Sequence, residues 1–93
     1  MTDAGWHWRF DVRPRAQRQL SRLPEKVSAA VAEFIVGPLL DNPYRVGHPL
    51  RDEYAGQYSA RRGQEWRIRS LIDEQTHTLV VLDVSHRSVT YGT

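Results

Sequence analysis

Arginines are concentrated between Tyr58 and Arg69, where the chain reads YSARRGQEWRIR and the only acid is Glu65. The four arginines of this segment are Arg61, Arg62, Arg67 and Arg69. A guanidinium group binds phosphate oxygens through paired N–H donors of fixed geometry. Arginines set along extended segments cannot all turn freely into water. The segment therefore predicts a surface that holds phosphates, with RNA as the expected partner.

The charge distribution supports this interpretation more than the total charge does. The formal net charge is only +2, which gives no strong nucleic-acid field by itself. The basic segment is bordered by acids on both sides, Asp52 and Glu53 before it and Asp73 and Glu74 after it. Genomic base composition is an alternative reason for twelve arginines against one lysine, Lys26. It does not explain why the arginines cluster.

Length and composition exclude several classes of protein. The 93 residues are enough for a single domain, residues 1–93, with one core. Cysteine is absent, which excludes disulfides and thiolate metal sites. No apolar stretch is long enough to cross a bilayer, and the start lacks a secretory signal, so we expect a cytoplasmic protein. The four histidines have no close ligand spacing, so we expect no metal site and no cofactor.

Hydrophobic periodicity predicts the elements that must position the arginines. Alternation from Trp6 to Val12 predicts a strand with one covered face. Two helices follow, beginning at Pro14 and at Pro24, and Gly37-Pro38 should stop or kink the second. After a loop, three strands are expected at residues 57–62, 65–72 and 78–85, the last one in the interior of the sheet. This order predicts an α+β domain, β-α-α-β-β-β, with a helical hairpin on a mainly antiparallel four-stranded sheet.

The strand period also assigns faces to the arginines. Trp66 and Ile68 should face the helices, which places Arg67 and Arg69 on the opposite side. Arg61 of the neighbouring strand can join them there. Like charges on adjacent strands are unfavourable unless an anion or an acid lies between them. The acid could be Glu65, and the alternative is an RNA phosphate.

The chain resembles the RelE/ParE superfamily of bacterial toxins, and within it the RelE-like and YoeB-like mRNA interferases. The resemblance covers nearly the whole sequence. It depends on RQLSRLPEK, the helical hairpin, GHPLR, GQYSARRGQEWRIR and the closing HRSVTY. It implies a RelE-like fold and a metal-independent endoribonuclease that enters the ribosomal A site and cuts mRNA. In that chemistry the RNA 2′-hydroxyl attacks the adjacent phosphate, and fixed cations stabilise the charge that develops.

The resemblance also implies roles for particular residues. Arg67 is similar to the arginine that stabilises the phosphate, and Arg61 to a basic position on the preceding strand. Arg87 is similar to a late arginine and Tyr91 to a C-terminal tyrosine that orients the substrate base. Further RNA or phosphate contacts are expected from Arg51, Arg62 and Arg69. For Arg62 the alternative is a place on the helix side.

The general base is the point at which the sequence departs from the family. Ser59 stands where RelE-like toxins can carry a lysine. YoeB-like toxins use a glutamate before P-L-K and a late histidine, and His48 and His86 stand at those places here. Imidazole can take up or release a proton near neutral pH, so both are candidate catalytic residues. The alternative for His48 is a solvated loop histidine.

The resemblance further implies the partners of the protein. They are a cognate RelB-like antitoxin, the ribosome and the mRNA in its A site, with no membrane. Two other functions stay open. One is a ParE-like inhibitor of DNA gyrase, and the other is a module that binds RNA or the ribosome without cutting.

Overall fold

Five strands and two main helices form within residues 8–88, the part of the chain that the computed structural model describes. Their bounds are β1 Arg9–Val12, α1 Pro14–Ser21, α2 Glu25–Phe34, α3 Pro43–Val46, β2 His48–Pro49, β3 Gln57–Arg62, β4 Trp66–Asp73 and β5 Thr78–His86. The predicted α+β class and the predicted order of the main elements are confirmed. The short elements α3 and β2 lie in the segment that the sequence predicted as loop.

The described residues form one sheet with the strand order β1-β5-β4-β3-β2. β1 runs parallel to β5, and the other neighbours are antiparallel. The expected count of four strands was too low, because β2 is a two-residue strand that the period-2 pattern cannot detect. The prediction that β5 lies in the interior is confirmed, since it pairs with β1 on one side and β4 on the other.

The core lies between the helical hairpin and one face of the sheet. Pro14 starts α1 at its first turn, where the missing N–H costs nothing. Ala16 of α1 and Val31 of α2 are fully buried against residues of the sheet, among them Ile68 and Leu79. The predicted helix-facing side of β4 is therefore confirmed. No helix within residues 8–88 combines the length and the hydrophobicity that crossing a membrane requires.

The second helix does not end at Gly37-Pro38. It continues through a π-helical turn, Ile35–Leu39, that contains Pro38. Proline lacks the N–H that an α-helical turn would use, and a widened turn accommodates it. Ile35 and Leu39 at the two ends of this turn are buried, so the irregular turn is fixed by the core.

The expectation of a continuous covered face on β1 was wrong at Phe10. Its side chain is 51% exposed, whereas Trp8 and Val12 are partly buried. β1 is the edge strand, so an alternating residue there need not meet the core. Trp6, which belongs to the same alternation, lies outside the described residues.

Candidate nucleic-acid interface

An open groove of about 550 Å³ lies beside the β3–β4 turn, on the sheet face that points away from the helices. We call it the basic groove, and its lining is Val46, His48, Arg61, Gly63, Gln64, Arg67 and Arg87. Four of the predicted site residues thus come together from three separate segments. The turn that closes the groove contains Gly63 with a φ of 64°, a left-handed conformation that glycine adopts without strain.

The register of the sheet brings the arginines together. Arg61 of β3 pairs directly with Arg67 of β4, and Arg67 pairs with Ser85 of β5. Arg87 lies two residues after Ser85, just past the end of β5, where its backbone N–H donates to the Glu65 carbonyl oxygen at 2.7 Å. Directly paired residues have Cβ atoms about 4.5–5.5 Å apart. Like charges at that spacing are unfavourable alone and favourable around a bound anion.

His48 reaches the groove because α3 is packed tightly against β3. The preceding residue, Gly47, is buried, and a Cβ atom built on it would lie 3.0 Å from the Pro43 carbonyl oxygen and 3.3 Å from the Tyr58 Cβ atom. A side chain at Gly47 would therefore push α3 away from β3. The close approach lets β2 pair with β3 as soon as α3 ends, and this pairing directs His48 onto the groove face.

The position of His48 bears on the departure at Ser59. His48 and Ser59 are directly opposite each other in the β2–β3 ladder. Ser59 lies on the same face of β3 as Arg61. Ser59 offers no basic group, and the His48 imidazole lies directly beside it on the neighbouring strand.

His86 lies on the other face of the sheet. It pairs with Trp66, and the two rings meet edge to face with centroids 5.3 Å apart. Its Nδ1 atom lies 3.2 Å from the Ser88 Oγ atom. Neighbouring residues of a strand alternate in direction, so Arg87 can line the basic groove while His86 does not. The structure thus separates the two histidines that the resemblance brought together.

Arg69 lies on the groove face of β4 but is held beside the basic groove, not within its lining. Its Nη1 atom donates to the Gln57 Oε1 atom at 2.6 Å, and its guanidinium carbon lies 5.2 Å from the centre of the Tyr54 ring. Such a stacked and hydrogen-bonded arginine has a fixed position. Arg69 could therefore contact RNA only beside the basic groove, not inside it.

The remaining predicted residues are distributed differently. Arg62 pairs with Trp66 and lies on the helix side, which is the alternative that the sequence left open for it. Arg51 is exposed after β2 and is not part of the groove lining. Tyr91 lies outside the described residues.

A buried acid behind the groove was missed by the sequence reasoning. Asp83 of β5 is 2% exposed, and its Oδ1 atom accepts a hydrogen bond from Gln19 Nε2 at 2.7 Å and lies 3.2 Å from Arg15 Nε. Gln19 Oε1 in turn accepts from the Val84 N–H at 2.6 Å. These contacts fasten α1 to β5 next to Ser85. The sequence did contain a signal for this acid, because Asp83 interrupts the apolar run LVVLDV.

Solved RelE toxins share this fold of a helical hairpin on a mainly antiparallel sheet. The isolated Escherichia coli RelE toxin has this fold, with a TM-score of 0.71 at 16% identity over 90% of this chain and 88% of that one. A Mycobacterium tuberculosis toxin–antitoxin complex, RelBE2, contains a chain that is 44% identical, with a TM-score of 0.82 over 87% of this chain and 99% of that one.

Curated proteins give the same result at the level of sequence. Toxin RelE of Mycobacterium tuberculosis is 47% identical over 76 residues, which cover 82% of this chain and 77% of that protein. Toxin RelG of the same organism is 49% identical over 76 residues, covering 82% and 86%. No protein-family model matches the chain. The chain belongs to the RelE family, whose members are toxins of type II toxin–antitoxin systems.

Proposed function

We propose that the protein is an endoribonuclease that inhibits translation by cutting mRNA in the ribosomal A site. The observation that carries this proposal is the convergence of Arg61, Arg67, Arg87 and His48 on one open groove. Cleavage of a phosphodiester without a metal requires a group that takes the 2′ proton, a proton for the leaving oxygen and fixed cations, and the groove offers three arginines and one candidate base. A groove open to solvent can admit an extended RNA strand.

The proposed reaction breaks the bond between phosphorus and the 5′ oxygen of the next nucleotide. His48 takes the proton of the RNA 2′-hydroxyl, and the oxygen attacks the adjacent phosphorus. Arg67 and Arg61 stabilise the negative charge on the phosphate oxygens as the cyclic phosphate forms. The leaving 5′ oxygen takes up a proton. His48 is the one described histidine in the groove lining, so we assign that second proton to water and not to His86.

A RelB-like antitoxin is the proposed protein partner. Solved relatives include the intact RelBE complex of Escherichia coli and the RelE–RelB complex of Pyrococcus horikoshii, both with TM-scores above 0.6. A segment of such a partner with acidic side chains would complement the basic groove and neutralise its arginines. The paired arginines would then be covered while the antitoxin is bound and exposed after the antitoxin dissociates.

The test is to add the protein to a cell-free translation mixture and map the 5′ ends of the RNA, with matched naked RNA. We expect cuts within translated messages that disappear without ribosomes. Replacing Arg67→Ala should reduce cutting roughly 10²- to 10³-fold, because one stabilising group of the transition state is lost. Arg18→Ala is the matched control, since it removes the same charge from the exposed side of α1.

Other outcomes would identify another function. Cuts on naked RNA that need Arg67 would make the protein a ribosome-independent ribonuclease. RNA binding that weakens in Arg67→Ala without any cutting would indicate a binding module. An absence of both cutting and binding would overturn the proposal, and inhibition of DNA gyrase would be measured next.

A further inference from the structure

A second groove lies on the helix side of the same hairpin. We call it the apolar groove. It has a volume of about 380 Å³ between α2 and the β3–β4 turn. Its apolar lining comes from Val27, Ala30, Val31 and Trp66, and its basic side chains are Lys26 and Arg62. The proposed cleavage reaction uses none of these residues.

The two grooves meet at the tip of the hairpin. Gly63 and Gln64 line both of them. Arg61 and Arg62 are consecutive in β3 and therefore point to opposite faces, so each groove receives one arginine from the same strand. The lysine of α2, Lys26, adds a second cation on the helix side. A strand of RNA that passes over the tip would meet positive charge on both sides of it.

We propose that the apolar groove is a second RNA subsite, in which the base of a nucleotide flanking the cleaved phosphate stacks against Trp66. This subsite rests on the proposed ribonuclease function. Aromatic side chains beside a cationic track are the usual means of holding single-stranded nucleic acid. Lys26 and Arg62 hold the backbone of that nucleotide, and the Glu65 carboxylate at the same groove accepts a hydrogen bond from an amino group of the base.

The size and charge of the apolar groove favour a nucleotide over a protein segment. Its volume is at the lower end of the range for small-ligand sites, which suits one base and not a helix. Its cations, Lys26 and Arg62, lie across the uncharged tip residues Gly63 and Gln64 from the arginines of the basic groove. The half-buried Trp66 also packs against the core, so the stacking surface is rigid before any ligand arrives.

The test uses the same map of 5′ ends and sorts the cut sites by their flanking nucleotides. Purines stack more strongly than pyrimidines, so the wild type should prefer a purine at one flanking position. Trp66→Leu should reduce cutting at the preferred sites roughly 5- to 100-fold, and the preference should become nearly even. Lys26→Ala should reduce cutting at every site by a smaller factor that vanishes at high salt.

Matched variants separate stacking from folding. Trp66→Phe keeps an aromatic ring and should retain most of the purine preference. Lys26 is exposed on α2, so Lys26→Ala leaves the fold intact and gives an independent measurement. Arg18→Ala removes one charge from α1, outside both grooves, and should leave the cutting pattern unchanged.

Several outcomes would overturn the subsite. Cutting that depends on Arg67 but keeps the wild-type site pattern in Trp66→Leu and the wild-type rate in Lys26→Ala would remove the subsite and leave the ribonuclease. Unchanged cutting combined with resistance of Trp66→Leu to a RelB-like antitoxin would assign the groove to a protein partner. An absence of cutting by the wild type would overturn the ribonuclease proposal itself, and the subsite with it.

Discussion

The two ends of the sheet are built on opposite physical principles. At the β3–β4 turn, the basic groove places like charges opposite each other. At the β4–β5 turn, aromatic rings attract one another. Trp8 stacks on His77 with centroids 3.8 Å apart, Tyr44 meets Trp8 edge to face at 6.1 Å, and Tyr58 meets Tyr44 at 5.7 Å. We call these four residues the aromatic cluster.

The aromatic cluster fixes structure through its own contacts. His77 adopts a φ of 54°, which is unfavourable for a residue with a Cβ atom. The stacked Trp8 ring and a hydrogen bond from the Arg9 N–H to the His77 carbonyl oxygen, at 2.8 Å, hold it there. Tyr44 also donates a hydrogen bond to Glu74 of the same turn. Four segments of the chain are thus joined at this end.

The basic groove depends on contacts made elsewhere. Its like charges do not attract one another, and the strand register and the packing at Gly47 bring them together. The contacts that stabilise the fold therefore lie at one end of the sheet, and the candidate catalytic groups lie at the other. Changes at one end should therefore leave the property of the other end nearly intact.

The largest expected effect is the loss of cutting in His48→Ala. Removal of a general base costs roughly 10²- to 10⁴-fold in rate. The side chain is exposed, so the melting temperature should stay close to that of the wild type. The measurement is the rate of mRNA cleavage in a translation mixture beside a thermal melt. His86→Ala, on the other face and in contact with Trp66, should lose much less rate, and an equal loss in both variants would contradict the assignment of His48.

Trp8→Ala should produce the next largest effect, on stability alone. A fully buried tryptophan costs about 3–5 kcal/mol when truncated, and the half-buried Trp8 should cost about 2 kcal/mol. Denaturant unfolding measures the change, and cutting well below the melting temperature should persist. Phe10→Ala is the matched control, because this ring, two residues after Trp8, is 51% exposed, and its loss should lower the free energy of unfolding by less than about 0.5 kcal/mol. A cutting defect in folded Trp8→Ala would show that the two ends are coupled.

Asp83→Asn tests the anchor of α1 behind the groove. An amide cannot replace the charge beside Arg15, although Arg15 is exposed and can return to water, so we expect a loss of about 1–2 kcal/mol in unfolding free energy. Chemical denaturation provides the value. Asp11→Asn is the control, since its ion pair with Arg13 at 3.5 Å is exposed and should contribute little. Equal losses of unfolding free energy in both variants would show that burial of Asp83 does not strengthen its contacts.

Arg61→Gln should give the smallest effect. It should raise the stability of the fold and lower the affinity for RNA. Removing one of two directly opposed cations should stabilise the fold by about 0.2–1 kcal/mol at low salt. The same change should weaken RNA binding and reduce the salt dependence of that binding. Thermal melts and titrations at two salt concentrations measure both. A destabilised Arg61→Gln would mean that the arginine pair stabilises the fold, which would contradict the expected repulsion between the two cations.

Much of the fold was predictable because the local patterns agree with the tertiary structure. The patterns of β3 and β4, the continuous apolar run of β5 and the apolar spacing of α1 and α2 predicted these elements within a few residues of their observed ends. The parallel pairing of β1 with β5 was not predictable, since it joins Arg9 to Thr78 and no local pattern encodes such a contact. The exposure of Phe10 follows from that edge position.

The arginines of the basic groove could be predicted from the sequence, but the shape of the groove could not. Strand parity placed Arg61 and Arg67 on one face from sequence alone, and parity applied to the end of β5 would also have separated His86 from Arg87. The resemblance predicted His48 as a site residue, but no local pattern predicts its place in the groove, because that place depends on the two-residue strand β2 and on the close approach at Gly47. Turn residues such as Gln64 carry no charge and gave no signal.

The parallel β1–β5 pair has a consequence for biosynthesis. A chain that emerges from its amino end releases β1 long before the β5 residues that it must pair with exist, and long-range pairing of this kind folds slowly. Arg67 lies on β4, whose position in the sheet depends on β5 as a neighbour. The groove is therefore incomplete throughout most of translation. Under the proposed function, a chain that is still being synthesised cannot yet cut mRNA in the ribosome that produces it.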